Sequence, residues 1–174
     1  MREDLDNKLC EKYPQIFKNR HAHMQETAMC WGFQCGDGWY DIIDVLCGLL
    51  TSNFRQAKER YESVKMYYET DGRYPWVSGK EITPEMVEEL RIAMENECQK
   101  VPVAVQVKEK FGGLRFYVHG ATDEAYNYID FAERMSYRTC ETCGKPGKTI
   151  RNGWHYTACE EHTREEDKDA EDSD

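Results

Sequence analysis

At 174 residues the chain is long enough for one domain with a real core, or one domain plus a small appendage, and 40% hydrophobic with 32% charged residues fits a soluble globular class. No run of about eighteen apolar residues occurs, and the opening Met-Arg-Glu-Asp-Leu-Asp lacks a signal peptide's apolar stretch, so the expectation is a cytoplasmic protein with no membrane segment. The net charge of −10 argues against tight sequence-independent duplex binding, which rests on phosphate neutralisation by Lys and Arg.

The first element expected is a short amphipathic helix over 3–12, with Leu5, Leu9 and Cys10 at helical spacing and Pro14 biasing Tyr13 away from helix. Arg20, His21 and His23 follow, then the densest aromatic and glycine stretch, Cys30-Trp-Gly-Phe-Gln-Cys-Gly-Asp-Gly-Trp-Tyr40. Three readings stand side by side. Asp37 N-caps a core helix carrying Trp39, Ile42, Ile43, Leu46, Leu49 and Leu50. Alternatively Trp31, Phe33, Asp37, Trp39 and Tyr40 line a ligand pocket, with glycines letting backbone amides approach. In the third, His21, His23, Cys30 and Cys35 form a second metal site, at a spacing that matches no standard finger.

Phe54, Ala57, Tyr61, Val64 and Tyr68 trace one face of a helix ending before Asp71-Gly72, and 71–82, with Gly72, Pro75 and Gly79, reads as a loop. Thr83-Pro84-Glu85 supplies an N-cap, a proline at the first helical position and an acid in the first turn. Met86, Leu90, Ala93, Met94 and Cys98 then form the apolar stripe of a helix to about Gln99.

From 101 to 119 the period becomes two. Val103, Val105 and Val107 form one row, Gly112-Gly113 the turn, and Leu114, Phe116 and Val118 the returning row, with Phe111 opposite Leu114. The other face then collects Gln106, Lys108, Lys110, Arg115, Tyr117 and His119. In an acidic protein this is a candidate anion or nucleotide site, because Lys and Arg meet phosphate and rings stack on bases; the bland alternative is a solvated sheet face. Thr122-Asp123-Glu124 opens a further helix with Ala125, Tyr128, Ile129, Ala132 and Met135 on its buried side.

The last motif is the most specific. Cys140-x-x-Cys143, fifteen residues, then Cys159-x-x-His162 supply three thiolates and an imidazole, a tetrahedral Zn2+ set. Gly144 suits a knuckle, and Asn152-Gly153 between 149–151 and 154–156 predicts a two-residue hairpin turn. Cys159 opens a helix presenting both remaining ligands, so the order resembles a treble-clef finger. Four protein ligands leave the metal no open position, so the zinc is expected to be structural. The five other cysteines, in a chain without a secretory signal, imply a reducing compartment. Residues 160–174 hold nine acids against Arg164 and Lys168, an expected disordered acidic tail over 165–174.

The predicted fold is thus α+β, with helices packed on a small antiparallel sheet over 1–136 and the finger over 137–164. Taken together, Lys108-Glu-Lys-Phe-Gly-Gly-Leu-Arg-Phe-Tyr117, the Cys30–Tyr40 stretch and the finger resemble a family of small proteins encoded by bacteriophages and prophages. That resemblance implies a product in the bacterial host cytoplasm that binds and neutralises a host factor, an antagonist of antiviral defence acting on a host protein or a small nucleotide signal. The alternative is a zinc-finger nucleic-acid-binding protein. A His-Asn-His nuclease fits less well, since Thr149-Ile150-Arg151 occupies the strand where its histidine base belongs. The oligomeric state is open, a homo-oligomer included.

Overall fold

The computed structural model describes residues 1–74 and 81–168. Pro75 and Gly79 of the expected loop and residues 169–174 of the expected tail lie outside the described residues. Two compact units emerge, 1–49 together with 102–174, and 50–101. The division therefore does not fall near Ser136; the finger shares a unit with the N-terminal helices and the sheet.

In the larger unit, helix α1 (Glu3–Lys12) ends where expected, Tyr13 taking a non-helical conformation before Pro14. Its Leu9 is buried, and the Tyr13 hydroxyl and Lys12 both bind Asp44 of helix α2 (Tyr40–Leu50). Between them lie 3-10 turns at Ala28–Trp31 and Asp37–Trp39. Asp37 does not cap α2: the cap position of its turn is Gly36, and Asp37 instead accepts from the Arg2 amide at 2.7 Å and pairs with the Arg2 guanidinium at 2.8 Å. The core gathers Ile16, Phe17, Met29, Phe33, Trp39, Ile43 and Leu46, each contributing about 1.5–3 kcal/mol relative to exposure. In the same unit the partly buried Arg20 makes a two-pronged pair with Asp6, at 2.9 and 2.8 Å.

Strands β1 (Val103–Lys110) and β2 (Gly113–His119) form the expected antiparallel hairpin with a different turn and a bulge. The turn residues are Phe111 and Gly112, at φ 54° and 78°, so Lys110 opposes Gly113. Positive φ at both central positions is what the type I′ turn needs to match strand twist, and it wins over the Gly112-Gly113 placement. A register shift between Ala104 and Gln106 breaks the valine row. One extra residue inverts the alternation on one side of the bulge, so the fully buried residues are Ala104, Val107, Leu114 and Phe116, not Val103 and Val105. Both sheet edges are covered: Gln34 bonds along β1, while Glu133 and Ser136 of helix α5 (Asp123–Ser136) accept from the Phe116 and Leu114 amides. Thr122 caps α5 as expected, with Ala125, Ile129 and Ala132 inside. Met135 is exposed instead of buried, lining a shallow apolar groove with Ile42, Val45, Leu49 and Phe131.

The smaller unit is a helical pair, α3 (Ser52–Thr70) packed on α4 (Pro84–Gln99). Phe54 and Val64 are buried, whereas Tyr68 is exposed because the half-buried stripe drifts to Tyr67. The Thr83 hydroxyl accepts from the Met86 amide ahead of Pro84, the start signal read from the sequence. No α4 side chain is fully buried and Ala93 is exposed, so the stripe is partly covered by one partner helix.

The segment after α5 holds strands β3 (Lys148–Ile150) and β4 (Tyr156–Ala158), a 3-10 turn Glu160–His162 and the short helix α6 (Glu165–Lys168). Ile150 pairs with Tyr156, so the connection is the five residues 151–155 and not a two-residue Asn-Gly turn. Asn152 is diverted: its amide donates to Asp167 at 2.9 Å, which also accepts from the Tyr156 hydroxyl at 2.6 Å. Asp167 is buried by these contacts, so at 165–168 the expected disordered tail is instead folded back on the finger.

Candidate metal centre

The chain from Ser136 to Cys143 turns through Thr139, whose bridge to Pro146 closes the knuckle. Cys140 donates its amide to the Lys145 carbonyl, and Gly144, at φ 76°, donates to the Cys140 carbonyl. Across from it, Cys159 leads the 3-10 turn, and its carbonyl accepts from the His162 and Thr163 amides. The expected helix shrinks to that single turn, which is still enough to present the fourth ligand.

These two loops bring Cys140, Cys143, Cys159 and His162 together, one donor atom of each lying within 4.8 Å of the others. Cys143 Sγ and Cys159 Sγ are 3.7 Å apart, and His162 Nδ1 lies 3.7 Å from Cys140 Sγ and 3.2 Å from Cys159 Sγ. Cys140 and Cys159 are buried, Cys143 and His162 exposed. Burial acts to push the Cys140 thiol up, but amide hydrogen bonds from Cys159, Cys143 and Thr142 outweigh it and bring the thiol down to about 7. Amides aimed at a sulfur favour its thiolate, the form that ligates. Grouped within 4.8 Å, the four residues can hold a metal ion.

Among the described residues, His21, His23, Cys30 and Cys35 form no such cluster. Cys35 is buried in the core, which pushes its thiol up to about 12; Cys10 is likewise raised to about 12, by burial and then by Asp6. Both are held in the protonated form that neither ligates nor attacks.

The other sequence-derived site residues separate. Trp39 is 0% exposed with its indole N–H on the Thr139 carbonyl at 2.9 Å, and Phe33 packs edge-on against Phe17 at 5.0 Å. Trp31 is 62% exposed, so the aromatic stretch divides between core and surface. Tyr40 is half-buried at the head of α2. On the hairpin, Lys108 sits over the Tyr117 ring at 5.7 Å, with Lys110 two residues along on the same face. Arg115 is drawn away: it donates to the Tyr137 hydroxyl at 2.7 Å and to the Leu114 carbonyl. His119 is exposed at the far end of β2, opposite Val103.

What the motif glycines do was not legible from the sequence. A Cβ on Gly38 would lie 2.2 Å from the Cys140 carbonyl oxygen and 2.4 Å from the Gly144 nitrogen; on Gly36 it would lie 2.2 Å from the Glu141 carbonyl oxygen. Gly38 donates to the Glu141 backbone and Gly36 to its carboxylate, at 2.8 and 2.9 Å. From the opposite side, Gly113 lies against the Tyr137 ring and the Gly112 carbonyl accepts from Thr157 at 2.6 Å. Both glycine motifs are thus seats for the finger, Gly36 and Gly38 against its backbone and Gly112 and Gly113 mainly against its side chains, and the cluster lies at the junction of three chain segments.

No family model, no curated protein and no solved structure matches this chain. The fold and the cluster define an α+β protein built around a Cys3His metal-ligand set. The motif resemblance to phage-encoded proteins gains nothing from these comparisons.

Proposed function

We propose that the chain is a zinc-stapled binding protein: the ion is Zn2+, its role is structural, and the surface it organises holds a partner. A tetrahedral zinc with thiolates at about 2.3 Å and imidazole nitrogen at about 2.0 Å sets S···S near about 3.8 Å and S···N near about 3.6 Å. The 3.7 Å separations of Cys143 from Cys159 and of Cys140 from His162 match those values, while His162 stands closer to Cys159, at 3.2 Å. Three thiolates also favour a borderline-soft metal over oxygen-seeking Mg2+ or Ca2+.

The observation that carries the structural role is the seating of both glycine motifs on the finger. Bound zinc supplies about 10–16 kcal/mol to such segments, and here that stabilisation reaches the hairpin and the entry to α2 as well as the finger. The partner implied by the motif resemblance is a host protein or a nucleotide in a bacterial cytoplasm. The reading is tested by metal analysis of the native protein followed by capture of partners from bacterial lysate with zinc-loaded and chelator-stripped protein. One zinc per chain and partners retained only by the loaded form are expected; a metal-free protein that stays folded and keeps its partners would refute it.

A further inference from the structure

Where the hairpin tip meets the finger loop, Glu109, Lys110, Phe111, Gly153, Trp154 and His155 line a cleft of about 280 Å3. Its two large aromatic residues are unusually open, Phe111 at 65% and Trp154 at 71% of full exposure. Burying such rings is worth several kcal/mol in a core, and neither is used that way. Phe111 also holds φ 54°, a left-handed conformation costing about 1–2 kcal/mol for a residue with a Cβ. Glycine or asparagine would form the same type I′ turn without that cost. An exposed ring kept at a strained turn is accounted for by a contact made outside the chain.

The surroundings specify the contact. The Lys110 ammonium lies 5.4 Å from the Phe111 ring centre, and the His155 ring stands edge-on to Phe111 at 6.3 Å. Along the same face of β1, Lys108 and the 40%-exposed Tyr117 repeat the cation-and-ring pairing. The one acid in the lining, Glu109, accepts from the Gly112 amide through Oε1 at 2.7 Å, which fixes it to the turn. Open ring faces interleaved with lysines are what unpaired nucleobases and their phosphates require, since every base has a π-face to stack and each phosphate needs a cation. The cleft is near the lower limit of ligand-site volumes, about 300 Å3, which suits one planar ring. Nine acids against two basic residues, a net −7 of the chain's −10, fall in residues 160–174; Asp167 of that stretch lies near the cleft but is engaged by the Asn152 amide and the Tyr156 hydroxyl.

We infer that the cleft binds an unpaired nucleobase through Phe111 and Trp154 with its phosphate on Lys110, and that Lys108 and Tyr117 extend the track to a neighbouring nucleotide. This rests on the reading of the chain as a binding protein and names its ligand class. The test is fluorescence anisotropy of labelled single-stranded oligonucleotides of about eight residues with zinc-loaded full-length protein at low salt, with the matching duplex and mononucleotides as competitors. Zinc content and circular dichroism are recorded on the same samples, so a failure of metal loading or folding is separated from a failure to bind.

Single strands are expected to bind more tightly than duplex, and mononucleotides to compete only if one nucleotide fills the site. Phe111→Gly, which relieves the turn and keeps the fold, and Trp154→Ala should each weaken binding about ten-fold, the usual loss for a stacked base. Lys110→Gln should flatten the log-affinity against log-salt slope by about 0.7, one phosphate contact on a single strand. No anisotropy change with folded, zinc-loaded protein, equal affinity for duplex, or affinities unmoved by both aromatic substitutions would each overturn the inference. Capture of a protein partner that depends on Phe111 and Trp154, without oligonucleotide binding, would do the same.

Discussion

Gly38→Ala makes the sharpest demand on this structure, because conformational preference alone points the other way. Gly38 has no positive φ, so alanine there removes freedom only from the unfolded chain, an expected gain of about 0.4–1 kcal/mol. Its Cβ, however, would enter 2.2 Å from the Cys140 oxygen, 2.4 Å from the Gly144 nitrogen and 2.7 Å from the Cys143 nitrogen. These are backbone atoms of the knuckle, which cannot rotate away as a side chain can. Relief requires separating the two loops, which strains packing by about 1–3 kcal/mol. It also stretches Gly38 N–H to Glu141 and Trp39 indole N–H to Thr139, each worth about 1 kcal/mol. Less the unfolded-state gain, the net cost is about 2–4.5 kcal/mol, or roughly 10 °C in the unfolding midpoint at about 2–4 °C per kcal/mol. Gly120→Ala is the comparison: φ there is 74° but nothing lies within 4 Å of the added carbon, so only the left-handed strain of about 1–2 kcal/mol applies. Thermal unfolding followed by circular dichroism, with zinc content measured beside it, decides the matter. If Gly120→Ala proves as costly as Gly38→Ala, the seating of the loop on the knuckle is not what holds the unit together.

Stripping the metal with a strong chelator should loosen more than the finger: hydrogen-exchange protection is expected to fall at Trp39 and Leu114 as well as at Cys140, because their loops rest on it. Thr157→Val removes the donor to the Gly112 carbonyl and the bond to Thr149 inside a buried contact, for an expected loss of about 1–3 kcal/mol in urea unfolding. Asp6→Asn should cost about 1.5–3 kcal/mol near neutral pH by removing the carboxylate from Arg20, which keeps its bond to the Cys30 carbonyl. Burial acts to raise the Asp6 carboxyl, yet the hydrogen bond and charge of Arg20 outweigh it and hold it below the usual carboxylate value. A lowered pKa contributes stability that is present above the unfolded value of about 3.9 and is lost as pH falls through the folded one. The gap between wild type and Asp6→Asn in denaturant midpoint is therefore expected to hold from pH 7 to about 5 and to narrow below 4; a gap independent of pH would contradict the pair's role.

Much of this protein could be read before any coordinates. Helix starts at Thr83 and Thr122 were legible because capping is local: a hydroxyl and an amide three residues on decide it together. The metal set was legible for the same reason, since Cys-x-x-Cys and Cys-x-x-His place ligands within single turns and thiolate chemistry does the rest. The structure departs from the sequence expectation where a residue answers to a distant partner. Asp37 was taken by Arg2 instead of capping α2, Asn152 by Asp167 instead of closing a tight turn, and Arg115 by Tyr137 instead of joining the lysines. A single bulge near Val105 then undid the valine row, since one inserted residue exchanges the two faces of a strand.

The amino-acid order alone determined the α+β class, the helix starts and the four Cys and His residues that can hold a metal ion, set by contacts between residues close in the chain. Only the tertiary structure decided what the glycines of the two motifs are for. The clearance a missing Cβ provides has meaning only against the backbone it faces, here supplied from about one hundred residues away at Gly38 and about forty-five at Gly112. The same holds for the open rings of Phe111 and Trp154, which become a cleft only because the finger loop comes to rest beside the hairpin tip.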